Sequence, residues 1–170
     1  SGAGKVNAGM AAQLLVSRFA VSGVIFTGVA GALNPGLRIH DIVISTDSVQ
    51  HDLDAKALGF ERGQIPFTEQ RFFLSSAELR AKASRAAKGL GLRHSVGRIV
   101  SGDQFIVDPQ KSASLRKEFD AECVDMESAA VGQVCEANGV PHLIIRSISD
   151  TAGHSAPQDF KKFGDSASRN

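Results

Sequence analysis

HLIIRSIS, residues 142–149, narrows the fold more than any other stretch of the chain. Leu143, Ile144, Ile145 and Ile148 do not alternate with polar residues as they would on a strand with one wet face. Such a run reads as a strand covered on both faces, which is the condition of strands in a parallel sheet flanked by helices.

The neighbouring segments supply the partners. GVIFTGVAGAL (23–33) reads as a buried strand that breaks into a glycine turn at Gly28 and Gly31, and DIVISTDSV (41–49) is a second strand after the NPG turn at 34–36. Residues 5–19 carry Ala, Leu and Met at helical spacing, so a helix is predicted there, entered through Gly2 and Gly4. Residues 76–90 repeat Ala, Leu and basic residues with helical period, end at Gly91 and hand over to the strand SVGRIVSG (95–102). Asp108-Pro109 starts a short polar helix, ECVDM (122–126) is a strand, and 128–138 is a helix stopped by Gly139. Between His51 and Phe72 the periodicity fails and Gly59, Gly63 and Pro66 mark a loop, while the polar end DSASRN shows no clear final element. Strand, helix and strand in close succession predict an α/β three-layer sandwich, with a mixed, mostly parallel sheet flanked by helices, in a single domain over residues 1–170.

Composition sets the class of partner. Hydrophobic residues at 42% and only 5 prolines describe a folded chain, and a formal charge of +1 gives no surplus directed at nucleic acid or an anionic membrane. A small, roughly neutral ligand is the expectation. The two cysteines, Cys123 and Cys135, have neither metal-ligand spacing nor a disulfide pattern, which fits a reducing compartment. No apolar run approaches the roughly 20 residues that span a bilayer, and no signal-peptide layout is seen, so the expected location is cytoplasmic. The chain opens on SGAGK without an initiator Met or a preceding strand, and the natural protein is expected to be longer at both ends.

Four strand exits carry polar or glycine-rich sequence: FTGVAG, SGDQF, VDMES and SISD. In open α/β sheets ligands sit beyond the carboxyl ends of the strands, so the four are expected to share one pocket. SGAGK lacks the Ser or Thr that a nucleotide-triphosphatase loop needs after its lysine, since Val6 stands there, and it reads as an ordinary turn into a helix. TGVAGAL has the small residues that admit a ligand to the backbone or pack a helix on a strand, and no arginine adjoins it to hold a phosphate. HDLD (51–54) has no companion histidines at metal spacing, so a loop-ordering role is expected and no metal. Asp150, at the lip of an apolar strand, is placed to have its acidity weakened by desolvation and to act as a general acid; a turn carboxylate is the plainer alternative. Arg146, inside that strand, is expected to be buried and paired. Asp125 and Glu127 bracket Met126 where a strand turns into a helix, a place where acids also serve as plain caps.

Taken in order and spacing, TGVAGAL, DIVISTDSVQHD, FERGQIPF, GRIVSGDQFI, VDMESAAVGQVC and RSISDTA resemble the 5′-methylthioadenosine/S-adenosylhomocysteine nucleosidases of the nucleoside phosphorylase superfamily, over residues 1 to about 163. The resemblance implies hydrolysis of the N-glycosidic bond of an adenine thionucleoside without metal or organic cofactor. It implies Asp150 as the acid on adenine N7, assisted by Ser149, and Glu127 on the ribose hydroxyls with Met126 beside it. Ala30 and Gly31 of the glycine-rich exit are expected at the substrate. Backbone groups at Phe105, Ile106 and Val107 would read the adenine edge, the Phe105 ring would stack on the base, and Phe160 would close over the pocket. It also implies a homodimer in which Ala55, Leu58 and Pro66 of one subunit line the 5′-substituent site of the other. The family's water-activating glutamate lies ahead of the equivalent of Ser1, and its C-terminal helix extends further than this chain does. A phosphate-dependent phosphorylase, a futalosine-type nucleosidase and a non-catalytic nucleoside-binding module are the alternatives.

Overall fold

The computed structural model describes residues 2–153 and 155–167; Ser1 of the SGAGK segment, His154 and the last residues of the DSASRN end lie outside them. In chain order the elements are α1 (Lys5–Arg18), β1 (Val24–Ala32), β2 (Ile42–Gln50), a 3-10 turn (Lys56–Leu58), β3 (Phe73–Leu74), α2 (Ala77–Gly89), β4 (His94–Ser101), α3 (Pro109–Phe119), β5 (Ala121–Asp125), α4 (Ser128–Ala137), β6 (His142–Asp150) and α5 (Ala156–Ala167). The last of these, α5, occupies the end that reads as featureless in sequence, and β3 is a two-residue strand that no periodicity announces.

The mixed sheet flanked by helices follows the expectation. Strand order is β3-β2-β4-β5-β1-β6, with β2 also pairing β6, so five strands close on themselves and β3 hangs on the outside of β2. The long ladders, β1 with β6 and β2 with β4, are parallel, as is β4 with β5. Short antiparallel ladders join β1 to β5, β2 to β3 and β2 to β6. β6 is paired on both sides, and Leu143, Ile144 and Ile148 are fully buried, as the continuous apolar run requires. Each such side chain contributes about 1.5–3 kcal/mol of burial.

Helix ends follow local chemistry. The Ser76 hydroxyl accepts from the Leu79 amide to start α2, and the Asp108 carboxylate accepts from the Gln110 amide to start α3 with Pro109 in its first turn. Helix α4 ends before Gly139, whose φ of 64° is left-handed. Its small face, with Ala130 and Val131, packs with Ala8 and Ala12 of α1 in one core cluster with Val43 and Ile144 of the sheet.

The glycines of TGVAGAL do not make a turn. β1 runs unbroken through Gly28 and Gly31, because each faces a large side chain of β6 in register: Gly28 opposite Arg146 and Gly31 opposite Asp150. A Cβ on Gly28 would lie inside the Arg146 guanidinium, and one on Gly31 would lie 2.8 Å from Asp150 Oδ1. These glycines are slots cut in one strand for polar side chains of the next. Gly28→Ala should therefore cost about 1–3 kcal/mol in urea unfolding. Gly89→Ala, at a glycine with open space around it, should be neutral or slightly stabilising. Equal effects at the two sites would show that the Gly28 slot is not needed.

Candidate active site

A cavity of about 640 Å³ opens where β1, β5 and β6 end and the loop after β4 begins. Its wall includes residues 26–31 of β1, residues 104–106 after β4, residues 124–127 at the end of β5 and just past it, and Arg146, Ser149 and Asp150 of β6. All four strand exits singled out in sequence thus contribute to one space.

Within VDMES the acids divide their work. The Asp125 carboxylate accepts from the amides of Glu127 and Ser128 at 3.1 Å each, so Asp125 satisfies the start of α4. It also accepts from the Ser101 hydroxyl at 2.6 Å, from the Ser128 hydroxyl, and from Arg146 Nε at 2.6 Å. Burial alone would raise its pKa; the Arg146 charge, with the hydrogen bonds from Ser101, Ser128 and Arg146, outweighs burial and holds it below the usual carboxylate range. Glu127, relieved of capping, projects half-buried into the cavity, where Oε1 accepts from the Gly4 amide at 2.8 Å. Met126, also half-buried, lines the cavity beside it.

Asp150 is held differently. The β1–β6 register shifts between Ala30 and Gly31, which pair with Ile148 and Asp150, leaving Ser149 as the extra residue of a bulge. A bulge re-aims side chains, and here two consecutive residues, Ser149 and Asp150, both reach the cavity. The Ser149 hydroxyl lies 2.9 Å from Asp150 Oδ2 and 3.3 Å from the Ala30 carbonyl; the Ala152 amide donates to Asp150 Oδ1 at 2.8 Å. Asp150 is 2% exposed, and burial raises its pKa, aided by the charge of Asp159 and opposed by the Ala152 and Ser149 hydrogen bonds. A carboxyl that is harder to ionise than usual can hold and deliver a proton near neutrality.

Of the other residues expected at the site, Ala30, Gly31, Phe105 and Ile106 line the cavity, and Phe160 of α5 sits edge-on to the Phe105 ring with centroids 5.8 Å apart. Val107 follows them but does not line the cavity. Ala55, Leu58 and Pro66 also lie outside it, on the segment around the 3-10 turn, and Leu58 is 68% exposed.

Two contributors escape a linear reading. Gly2 and Ala3 line the cavity, so SGAGK is part of the site and not merely a turn into α1. The absence of arginine near TGVAGAL in sequence does not hold in space: Arg146 lies against Gly28, its Cζ 4.4 Å from the centre of the Phe26 ring. Arg146 is 2% exposed and tied to Asp125, with Nη2 3.8 Å from Glu127 Oε2. An arginine inside an apolar strand, four residues before an aspartate, was the available signal. Among the described residues no His, Cys, Asp and Glu cluster could hold a metal ion, and no helix is long and apolar enough to cross a membrane.

A family profile described as the phosphorylase superfamily matches residues 1–170. A 5′-methylthioadenosine/S-adenosylhomocysteine nucleosidase of Geobacillus thermodenitrificans is 42% identical over 170 residues, covering 99% of this chain and 72% of the relative. The chain belongs to this nucleosidase family of the phosphorylase superfamily. An aminodeoxyfutalosine nucleosidase of Campylobacter jejuni is 41% identical over 160 residues, 94% of this chain and 69% of that one. The solved structure of the Neisseria meningitidis nucleosidase, in complex with methylthio-immucillin-A, superposes with a TM-score of 0.92 at 41% identity, covering 96% of this chain and 71% of that one.

In this nucleosidase-family chain the buried pair of Asp125 and Arg146 is the electrostatic floor of the cavity, so removing one partner should be severe. Arg146→Met should destabilise the fold by about 3–5 kcal/mol, read by urea unfolding. Because the Asp125 pKa is lowered on folding, its share of wild-type stability is present above the unfolded value, about 4, and is lost as pH falls through the lower folded value. Arg146→Met should flatten that acid limb. A variant as stable as wild type, with the same acid limb, would show that the pair does not set the floor.

Proposed function

We propose that this chain cleaves the N-glycosidic bond of 5′-methylthioadenosine and S-adenosylhomocysteine with water, releasing adenine and the matching thioribose. Membership of the family makes it an N-glycosidic hydrolase. The observation that carries the finer reading is Asp150: a buried carboxyl with a raised pKa, facing the same cavity as Glu127.

The chemistry asks for two things. Breaking the bond from the anomeric carbon to nitrogen builds oxocarbenium character on the sugar and negative charge on the departing base. A proton delivered to adenine N7 as that charge develops lowers the barrier, and Asp150 is the donor in this reading. The Ala152 amide and Ser149 hydroxyl then take up the charge left on its carboxylate. Glu127 accepts the ribose hydroxyl hydrogen bonds and fixes the sugar, with Met126 as an apolar surface beside it. Asp125 is committed to Arg146, Ser101 and Ser128 and is assigned no proton. Phe105 and Phe160 flank the base, Ala30 and Gly31 let it approach the backbone, and backbone groups of Ile106 and Val107 read its edge. The exposed segment with Ala55, Leu58 and Pro66 is assigned to the 5′-substituent site of a second copy, which makes the protein a homodimer in this reading.

The test is adenine release from methylthioadenosine by the full-length protein, with and without added phosphate. Release should be independent of phosphate and yield a free reducing sugar; a requirement for phosphate and a sugar 1-phosphate product would make it a phosphorylase. Release from aminodeoxyfutalosine alone would move the 5′-specificity toward the Campylobacter relative. Asp150→Asn should lower kcat by about 10²–10⁴-fold. Because the acid works protonated, wild-type kcat should fall as pH rises through the raised Asp150 pKa, and the Asn variant should lose that limb. Asp150→Asn turning over at the wild-type rate would remove Asp150 from the mechanism.

A further inference from the structure

The HDLD motif takes no part in the chemistry above, yet its aspartate touches both loops that frame the cavity. Asp52 Oδ1 accepts from Lys5 Nζ at 2.6 Å, and Asp52 Oδ2 accepts from the Asp103 amide at 2.9 Å. Lys5 opens α1 directly after the glycine loop whose Gly4 amide holds Glu127, and Asp103 belongs to the loop that continues into Gln104, Phe105 and Ile106. The two loops are also tied to each other, since the Lys5 amide donates to Asp103 Oδ1 at 2.8 Å. Lys5 Nζ makes a second bond to Gln50 Oε1 at 2.9 Å, anchoring the set to the end of β2.

Packing repeats the arrangement independently of these bonds. Gly102 lies against the HDLD turn so closely that a Cβ there would come within 2.5 Å of His51 Nε2 and 3.0 Å of Asp52 Cγ. His51 is fully buried, and the His51 amide donates to the Ser101 carbonyl at 2.9 Å. Burial, the largest influence, pushes the imidazole down to about 4, so the ring stays neutral and acts as a wedge under the loop. Burial, the largest single influence, works against ionisation of Asp52, but the hydrogen bonds from Lys5 and the Asp103 amide, with the Lys5 charge, together outweigh it and hold the carboxyl below the ordinary range.

We propose that Asp52 is a positioning residue, whose two carboxylate oxygens fix the spacing between the Glu127 end of the cavity and the Phe105–Ile106 end. The proposal rests on the nucleosidase reading, in which a sugar is gripped at one end and a base at the other. A nucleoside bridges both ends, and the proton from Asp150 reaches the base only if the sugar is held at the matching distance. A displacement of about 1 Å at such a distance is enough to cost about 10²-fold in rate.

The experiment is steady-state adenine release by the full-length wild-type protein and by Asp52→Ala, Asp52→Asn, Lys5→Arg and Lys5→Met, with thermal unfolding measured on each. Asp52→Ala should lower kcat and raise KM together, for a fall of about 10–100-fold in kcat/KM, and should weaken product inhibition by adenine. Asp52→Asn, which keeps the shape and one acceptor, should lie between it and wild type and serves if the Ala variant does not fold. Lys5→Met should follow Asp52→Ala, and Lys5→Arg should restore activity to within a few-fold of wild type. Folded Asp52 variants with wild-type kcat, KM and adenine inhibition would overturn the proposal even if their melting temperatures fell. Failure of the nucleosidase reading looks different: the wild-type protein itself would release no adenine.

Discussion

The ion pair of Arg146 with Asp125 is the contact on which the arrangement of the site depends. Two charges with only 2% and 1% of their side chains exposed are costly to desolvate, and a pair of hydrophobic residues of the same volume would hold the strands as well. What the ions add is direction. Arg146 presents Nε to the Asp125 carboxylate, which in turn takes the first amides of α4 and the hydroxyls of Ser101 and Ser128. A single guanidinium from β6 thereby fixes the exit of β5, the start of α4 and the end of β4. Glu127 reaches the cavity only because Asp125 has taken over the capping.

That economy depends on backbone geometry that hydrogen bonds alone would not demand. The Arg146 side chain lies where the Cβ of any residue but glycine would stand at position 28, and the Asp150 carboxyl lies similarly over position 31. In a regular ladder Ser149 would face away from its two neighbours. The bulge between the Ala30 and Gly31 pairings removes that alternation at the point where both residues are wanted on one side. The closed sheet helps, since β6 is held by β1 on one flank and by β2 on the other, so a local irregularity does not loosen the strand.

How much of this was legible in the chain varies with the range of the interaction. The strand at 142–149, the helices bounded by Ser76, Asp108 and Gly139, and the four polar strand exits are local patterns, and the structure has them where the residues put them. The glycines of TGVAGAL read locally as a turn because their partners are more than a hundred positions away, in a register that local sequence does not encode. The same distance hid Arg146 from the glycine strand. Helix α5 escaped because its first residues look polar, although Phe160 is aimed at Phe105. SGAGK does not match a nucleotide loop, and the use of its Gly4 amide toward Glu127 becomes visible only once the β5 exit is beside it.

The site finally sets two buried aspartates to opposite tasks on β5 and β6, the two strands that flank β1. Asp125 and Asp150 are similarly withdrawn from water, so desolvation pushes both toward the protonated form. The difference is a single cation. Arg146 lies four residues from Asp150 on the same strand, but its Nε is turned to Asp125 and its Cζ sits over the Phe26 ring, so its charge is spent there. Asp150 is left with two neutral donors, too little to offset burial, and the repulsion of Asp159 adds to the effect of burial. Environments that drive two like groups apart in this way separate a permanent charge from a transferable proton. The slot at Gly28 admits Arg146 to the cavity wall, and the pairing with Asp125 keeps its charge from ionising the acid beside it.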